Sequence, residues 1–243
     1  HRDLHSFPTR RSSDLEAAYL AELLLDRGYR VIGLMREGAT ARQRRISHLR
    51  ERIELVTGSL LDEWFLRETI ATYQPDEIYN LAARASSSQL FIDPVLTGDF
   101  NGLAAVRILE AIRALNPATR FRQASSSEMF GEAAEAPQRE STAFRPRNPY
   151  GVAKLFAHGM VGTYRENFGV FACSSILFNH ESPRRGAEFV TRKISMGVAR
   201  IKCGLAGSLQ LGSLDAARDW GYAADYVHAM WRMLQMEAAD DRF

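Results

Sequence analysis

Asn148-Pro-Tyr-Gly-Val-Ala-Lys154 opens a helix that runs to about residue 168, and Val170-Phe-Ala-Cys-Ser-Ser-Ile-Leu-Phe178 follows it as a buried-type strand. Gly169, between them, is a natural helix stop. Upstream, residues 119–125 read as another strand. Strand, helix and strand in that order make a unit with parallel strands and a crossing helix. The alternation continues toward the N-terminus. Residues 29–35, 52–57 and 77–83 read as strands. Residues 16–27 carry apolar side chains at helical spacing, and Gly28 stops them. Asp62 is placed to N-cap a helix to about residue 73. A longer helix is expected over residues 95–115, ended by Asn116-Pro117. Repeated strand–helix alternation predicts an α/β fold, a doubly wound parallel sheet with helices on both faces.

Such a sheet places ligands at the carboxyl ends of its strands. Two polar segments fall there: Ser125-Ser-Ser-Glu128 and Asn179-His-Glu-Ser-Pro-Arg-Arg-Gly186. Tyr150 and Lys154 are four residues apart, so they share one helix face. A positive charge beside a phenol favours phenolate and pulls its pKa down, which makes a proton-transfer group. The chain has only three lysines, Lys154, Lys193 and Lys202. Tyr-x-x-x-Lys alone is also compatible with an ordinary amphipathic helix and a solvated lysine.

The last sixty-odd residues change character. Residues 179–186 read as a polar loop, 189–201 as a basic amphipathic helix, 209–212 as a short strand and 222–236 as a helix. Residues 1–15 show neither strand alternation nor helical periodicity and resemble translated adaptor read-through, a tail outside the fold. The expected division is a tail at 1–15, a dinucleotide-binding domain at 16–178 and a substrate-binding segment at 179–243.

Composition narrows the function classes. With 243 residues, 46% hydrophobic, the chain can bury a sizeable core. A formal net charge of +2 and no basic stripe argue against nucleic acid as a partner. No run of about 18 apolar residues is present, so no membrane helix is expected. Cys173 and Cys203 have no metal-ligand spacing, and no metal site is expected. A reducing, cytoplasmic setting fits this cysteine usage.

A strand ending in Ser-Ser-Ser-Glu, followed by Tyr150-x-x-x-Lys154, resembles the extended short-chain dehydrogenase/reductase family of nucleotide-sugar enzymes. Gln123-Ala-Ser-Ser-Ser-Glu-Met-Phe-Gly131, Asn148 to Lys154, Ile176-Leu-Phe-Asn-His-Glu-Ser-Pro-Arg-Arg-Gly186, Phe189-Val-Thr-Arg-Lys-Ile-Ser195 and Arg218-Asp-Trp-Gly221 narrow it to the GDP-mannose 4,6-dehydratases within that family. The resemblance covers residues 16–243, and the family's pattern extends further at both ends.

The resemblance implies a Rossmann-like fold and a small C-terminal substrate-binding lobe. It implies an enzyme that oxidises C4 of a GDP-bound mannose, takes a proton from C5, expels the C6 hydroxyl as water and returns hydride to C6. Tyr150, Lys154, Ser126 and Glu128 would be catalytic: Tyr150 as base at the 4-hydroxyl, Lys154 lowering its pKa, Ser126 bonding the 4-oxygen and Glu128 acting at C5. Arg36, Ser59, Leu60, Leu81, Ala82, Ala83, Lys154, His180 and Arg185 would meet NADP, with NAD possible. Asn179, Arg192 and Arg218 would meet the GDP-mannose substrate. A homo-oligomer, dimer or tetramer, is implied. Another nucleotide-sugar dehydratase or epimerase, or an inactive fragment, are the alternatives.

The sequence also departs from the family. Its Gly-x-x-Gly-x-x-Gly turn would fall at Arg11, Asp14 and Ala17, with no strand before it, so the first strand and the glycine-rich loop are expected to be missing and cofactor binding by this chain to be poor. Glu37 follows Arg36 where a 2′-phosphate would sit, Ser59 replaces an Asp and Leu96 a Tyr.

Overall fold

A computed structural model describes residues 3–6, 13–36, 38, 46–84 and 91–241, with the side chains of 3–6 and 13–14 left aside. Its centre is a six-stranded, all-parallel sheet. In chain order the strands are β1 (Asp3–Ser6), β2 (Arg30–Met35), β3 (Glu54–Thr57), β4 (Glu77–Asn80), β5 (Arg120–Ser126) and β6 (Ala172–Leu177). They lie in the spatial order β3-β2-β1-β4-β5-β6. The order reverses at β1, so a crevice opens at the carboxyl ends of β1 and β4, where doubly wound sheets bind ligands.

β1 corrects the sequence reading. Asp3–Ser6 were expected to lie in a tail outside the fold, and the first strand was expected to be missing. Instead Leu4 pairs with both Val31 and Glu77, so the segment fills the slot between β2 and β4. The physical reason is that main-chain pairing is indifferent to side chains. Without a strand there, β2 and β4 would each leave a row of unpaired N–H and C=O groups inside the molecule. Of the expected glycine positions, Arg11 lies outside the described residues, Asp14 lies in helix α1 (Ser13–Asp26), and Ala17 is buried.

Helices cover both faces. α2 (Glu63–Tyr73), α4 (Ala104–Leu115) and α5 (Pro149–Phe168) pack on one face through Leu66, Ile70, Ile108, Ile112 and Val161 against Ile78, Phe121 and Ala172. α1 and α7 (Ala223–Leu234) pack on the other through Leu20, Leu24, Val227 and Met230 against Val31, Tyr79, Leu81 and Cys173. Asp62 accepts from Phe65 N at 3.0 Å, as its sequence position required. Gly169 adopts φ +67°, the left-handed conformation that ends α5. Buried Glu77 ties α7 to the sheet by accepting from Tyr29, Tyr79 and Gln235 at 3.1, 2.9 and 2.8 Å.

The helix expected over 95–115 is one rod with an interruption. α3 (Pro94–Gly98) leads into a π-helical stretch, Asp99–Leu103, and then α4. Asn101 sits in that stretch and accepts from Arg84 N at 2.8 Å while donating to Thr97 O at 2.9 Å. It thereby fixes the chain leaving β4 at the crevice.

Two further readings change. Residues 209–212 form no strand, and residues 179–186 are not all loop. β7 (Asn179–Glu181) pairs in parallel with β8 (Trp220–Tyr222). Short segments at the end of a long strand carry little periodic signal, so pairing partners forty residues apart decide them. α6 (Val190–Lys202) lies between and buries none of its residues. Among the described residues, no helix is long and apolar enough to cross a membrane.

Candidate active site

β5 ends at Ser126, and a 3-10 turn, Ser127–Met129, carries Glu128 away from the sheet edge. Ser126 Oγ accepts from Glu128 N at 3.3 Å and so caps that turn. α5 begins after the loop of residues 130–147 with Asn148 as N-cap, whose Oδ1 accepts from Gly151 N at 2.8 Å. Pro149 takes the first helical position, where its missing N–H costs nothing. Tyr150 and Lys154 therefore start the helix on the face turned to β5, and both are buried.

Two contacts dock that helix face. Lys154 Nζ donates to Ala124 O at 2.7 Å. Gly151 lies so close to the 3-10 turn that a Cβ on it would stand 2.4 Å from Glu128 O. The close approach requires glycine, and it brings Glu128 to the mouth of the Tyr150 helix. Asn148 Nδ2 completes the contact by donating to Glu128 Oε2 at 2.7 Å.

Ser126, Glu128, Tyr150 and Lys154 line a cleft of about 230 Å³ with Glu16, Leu81, Ala83, Asn179, His180, Arg185 and Phe189. Sequence reasoning had named most of them. The structure brings together Ser126, Glu128, Tyr150, Lys154, Leu81, Ala83, Asn179, His180 and Arg185. Arg36, Ser59, Leu60, Ala82, Arg192 and Arg218 lie outside the lining. Leu60 and Ala82 pack in the core, and Ser59 bonds Leu61 N instead. Arg218 is exposed and bonds Ala217 O.

Glu16 and Phe189 line the cleft without having been singled out. Glu16 sits near the start of α1, beyond the carboxyl end of β1. The topological rule for sheet ends would have found it had Asp3–Ser6 been read as a strand. Its Oε1 lies 3.0 Å from His180 Nδ1, and both residues are buried. The His180 ring stacks on Tyr226 at 3.8 Å between centroids. Arg185 lies over Phe189 at 3.5 Å, with Nε 3.3 Å from Glu181 Oε2.

Burial dominates the ionisation of the central pair. It pushes the Tyr150 phenol up to about 12, against a lowering hydrogen bond with Ser126. It pulls the Lys154 ammonium down to about 7, with a smaller contribution from the Arg122 charge. The expected phenolate beside an ammonium is therefore not the resting pair. Lys154 does stand 5.8 Å from the Tyr150 ring centroid, but removing both groups from water outweighs their attraction. Among the described residues no cluster of three or more His, Cys, Asp or Glu is placed to hold a metal ion.

The arrangement provides a hydroxyl donor, a phenol, an amine and a carboxylate around one small volume. That set can move protons at two neighbouring carbons of a bound polyol. The chain is similar in sequence and in shape to known proteins. The family model for GDP-mannose 4,6 dehydratase matches residues 17–243. A GDP-mannose 4,6-dehydratase of Vibrio cholerae is 46% identical over 235 residues, covering 93% of this chain and 63% of the relative. The Homo sapiens protein of that name is 45% identical over 236 residues, with the same two coverages. The chain thus spans 63% of the length of these relatives. Among solved structures, a Bacillus anthracis dTDP-glucose 4,6-dehydratase in complex with NAD superposes with a TM-score of 0.81 at 17% identity, covering 98% of this chain and 73% of that one. A Thermotoga maritima UDP-glucose 4-epimerase with UDP-glucose gives 0.80 at 20% identity, covering 97% and 73%. At those identities the likeness is one of fold.

Proposed function

Because the chain belongs to the GDP-mannose 4,6-dehydratase family, we propose that it serves the conversion of GDP-mannose to GDP-4-keto-6-deoxymannose with a nicotinamide cofactor. The observation that carries this reading is the convergence of Ser126, Glu128, Tyr150 and Lys154 on one cleft at the carboxyl end of the sheet.

The residues suit such a cofactor. Lys154 Nζ spends one N–H on Ala124 O, which leaves donors for ribose hydroxyls. Leu81 and Ala83 add apolar lining to the same cleft, and His180 and Arg185 add polar lining. Arg36 Nε is buried without a hydrogen-bond partner among the described residues, an orphan donor that a 2′-phosphate would satisfy. That favours NADP over NAD. Ser59, Leu60 and Ala82 then belong to the adenine side. A nicotinamide held by these residues would supply the hydride acceptor for C4 and the hydride donor for C6.

Tyr150 takes the proton of the sugar 4-hydroxyl while Ser126 donates to the 4-oxygen as it becomes a ketone. The phenol must first ionise. Hydroxyl groups entering the cleft replace lost solvation and restore the Lys154 charge, which lowers Tyr150. The new ketone acidifies the C5 hydrogen, and Glu128 removes that proton. The C6 hydroxyl leaves as water, protonated from the same carboxyl. With hydride delivered to C6, the proton that Tyr150 took from the 4-hydroxyl goes to C5, so the net change is loss of one water. Asn179, Arg192 and Arg218 are assigned to the GDP end, where a guanidinium can bind phosphate bidentately.

A C4 epimerase would need Tyr150 and Ser126 but no carboxylate at C5, so Glu128 favours dehydration. The chain is also expected to self-associate. Val95, Leu103, Val152 and Phe156 are all exposed on one face formed by α3, α5 and the π-helical stretch between α3 and α4. Incubation with GDP-mannose, dTDP-glucose and UDP-glucose in turn, read by mass, tests the assignment. Loss of one water from GDP-mannose alone is expected; unchanged masses throughout would overturn it.

A further inference from the structure

A base at C5 must face one hydrogen of the substrate, yet Glu128 is exposed at the mouth of the cleft and has three rotatable side-chain bonds. An exposed carboxylate of that kind ordinarily samples several rotamers. Here one of its oxygens is held. Asn148 Nδ2 donates to Oε2 at 2.7 Å, while Oδ1 of the same amide accepts from Gly151 N at 2.8 Å. Both ends of the Asn148 side chain are thus engaged. The amide plane is fixed by the helix start, and the helix start is fixed on the 3-10 turn by the close approach of Gly151 to Glu128 O.

We infer that Asn148 is the positioning residue for Glu128, a rigid spacer that sets the carboxylate relative to Tyr150 and leaves Oε1 to act on the substrate. The inference rests on the role proposed above for Glu128. Serine and aspartate cap helices as well as asparagine does. Neither can replace the second contact: serine is too short, and aspartate offers an acceptor where a donor is needed. A residue chosen only for capping would tolerate either.

The test uses Asn148→Ser and Asn148→Asp in the full chain, with glutamate carboxyl carbons isotopically labelled. The Glu128 carboxyl resonance is expected to move toward its unstructured position in both variants. The amide spectrum of α5 and the thermal midpoint should hold. In the turnover assay, kcat is expected to fall tenfold or more while KM for the nucleotide sugar stays within about twofold. A Glu128 resonance unchanged in both variants would overturn the inference, whatever the chain's activity. So would a fall in kcat that tracks a lost thermal midpoint, since that would mark a structural cap only. Failure of the wild-type chain to turn over any nucleotide sugar would sink the functional reading and leave the spectroscopic arm standing.

Discussion

Lys154 Nζ reaches 2.7 Å from Ala124 O, so the charged end of a helix residue is anchored on the main chain of the neighbouring strand inside the core. That contact helps to hold α5 on β5, and the burial that goes with it sets the ionisation of the lysine. Burial pulls the amine down to about 7 from an ordinary value of 10.5.

The sign of the resulting pH dependence follows directly. Between about pH 7 and 10.5 the unfolded chain holds a proton at this lysine that the folded chain has released. Stability from this group therefore rises with pH across that window and is lowest below it. Lys154→Met removes the penalty. The variant should be stabilised relative to wild type by a few kcal/mol more at pH 6.5 than at pH 9.5, roughly as the shift implies. Urea unfolding at the two pH values measures it, and a difference independent of pH would contradict the assignment.

Tyr150→Phe deletes the proton acceptor while keeping the buried ring. Turnover should fall by roughly 10²–10⁴-fold, the usual contribution of a positioned acid or base. The thermal midpoint should change little, because Tyr150 is a buried aromatic and its replacement keeps the volume. Steady-state rates and a melting curve on one preparation separate these outcomes.

Glu128→Gln keeps the acceptor for Asn148 but cannot take the C5 proton. Oxidation at C4 should persist, and absorbance of reduced nicotinamide should accumulate. Water loss should slow by roughly 10²-fold or more. Stopped-flow absorbance alongside product mass reads both steps.

Gly151→Ala pushes a methyl against Glu128 O, with the ideal Cβ only 2.4 Å away. Overpacking of this kind costs typically about 1–3 kcal/mol. The displaced atoms belong to the residue that carries the C5 base, so kcat should fall as well. Denaturant unfolding and turnover of one sample check the two together.

Arg122 is fully buried, donates to Ser175 Oγ, and has Nε and Nη1 without a hydrogen-bond partner among the described residues. Burial pulls its guanidinium down to about 10. Arg122→Met fills similar volume without an unpaired charge. It should stabilise the fold by about 1–3 kcal/mol in chemical unfolding.

Much of this organisation was legible in the chain. Asp62 at its cap, Gly169 at its stop, and Tyr150 with Lys154 one turn apart follow from local chemistry that needs no tertiary context. The tie from Asn148 to Glu128 spans a loop of nineteen intervening residues, and no periodicity reports such a distance. β1 was hidden for a different reason. Asp3-Leu-His-Ser6 has no apolar alternation, and only the slot between β2 and β4 makes it a strand. Missing β1 also hid Glu16, which the strand end would have marked. The arginines expected at cofactor and substrate divide similarly: Arg185, expected at the cofactor, is buried in the lining, whereas Arg192 and Arg218, expected at the substrate, sit on segments outside it.

The central claim is an internal transfer of hydride from C4 to C6 of one sugar, with Glu128 exchanging the proton between them. GDP-mannose deuterated at C4, turned over in ordinary water, tests it most directly. The product is expected to carry its deuterium at C6. Deuterium retained at C4, or lost to solvent, would contradict it.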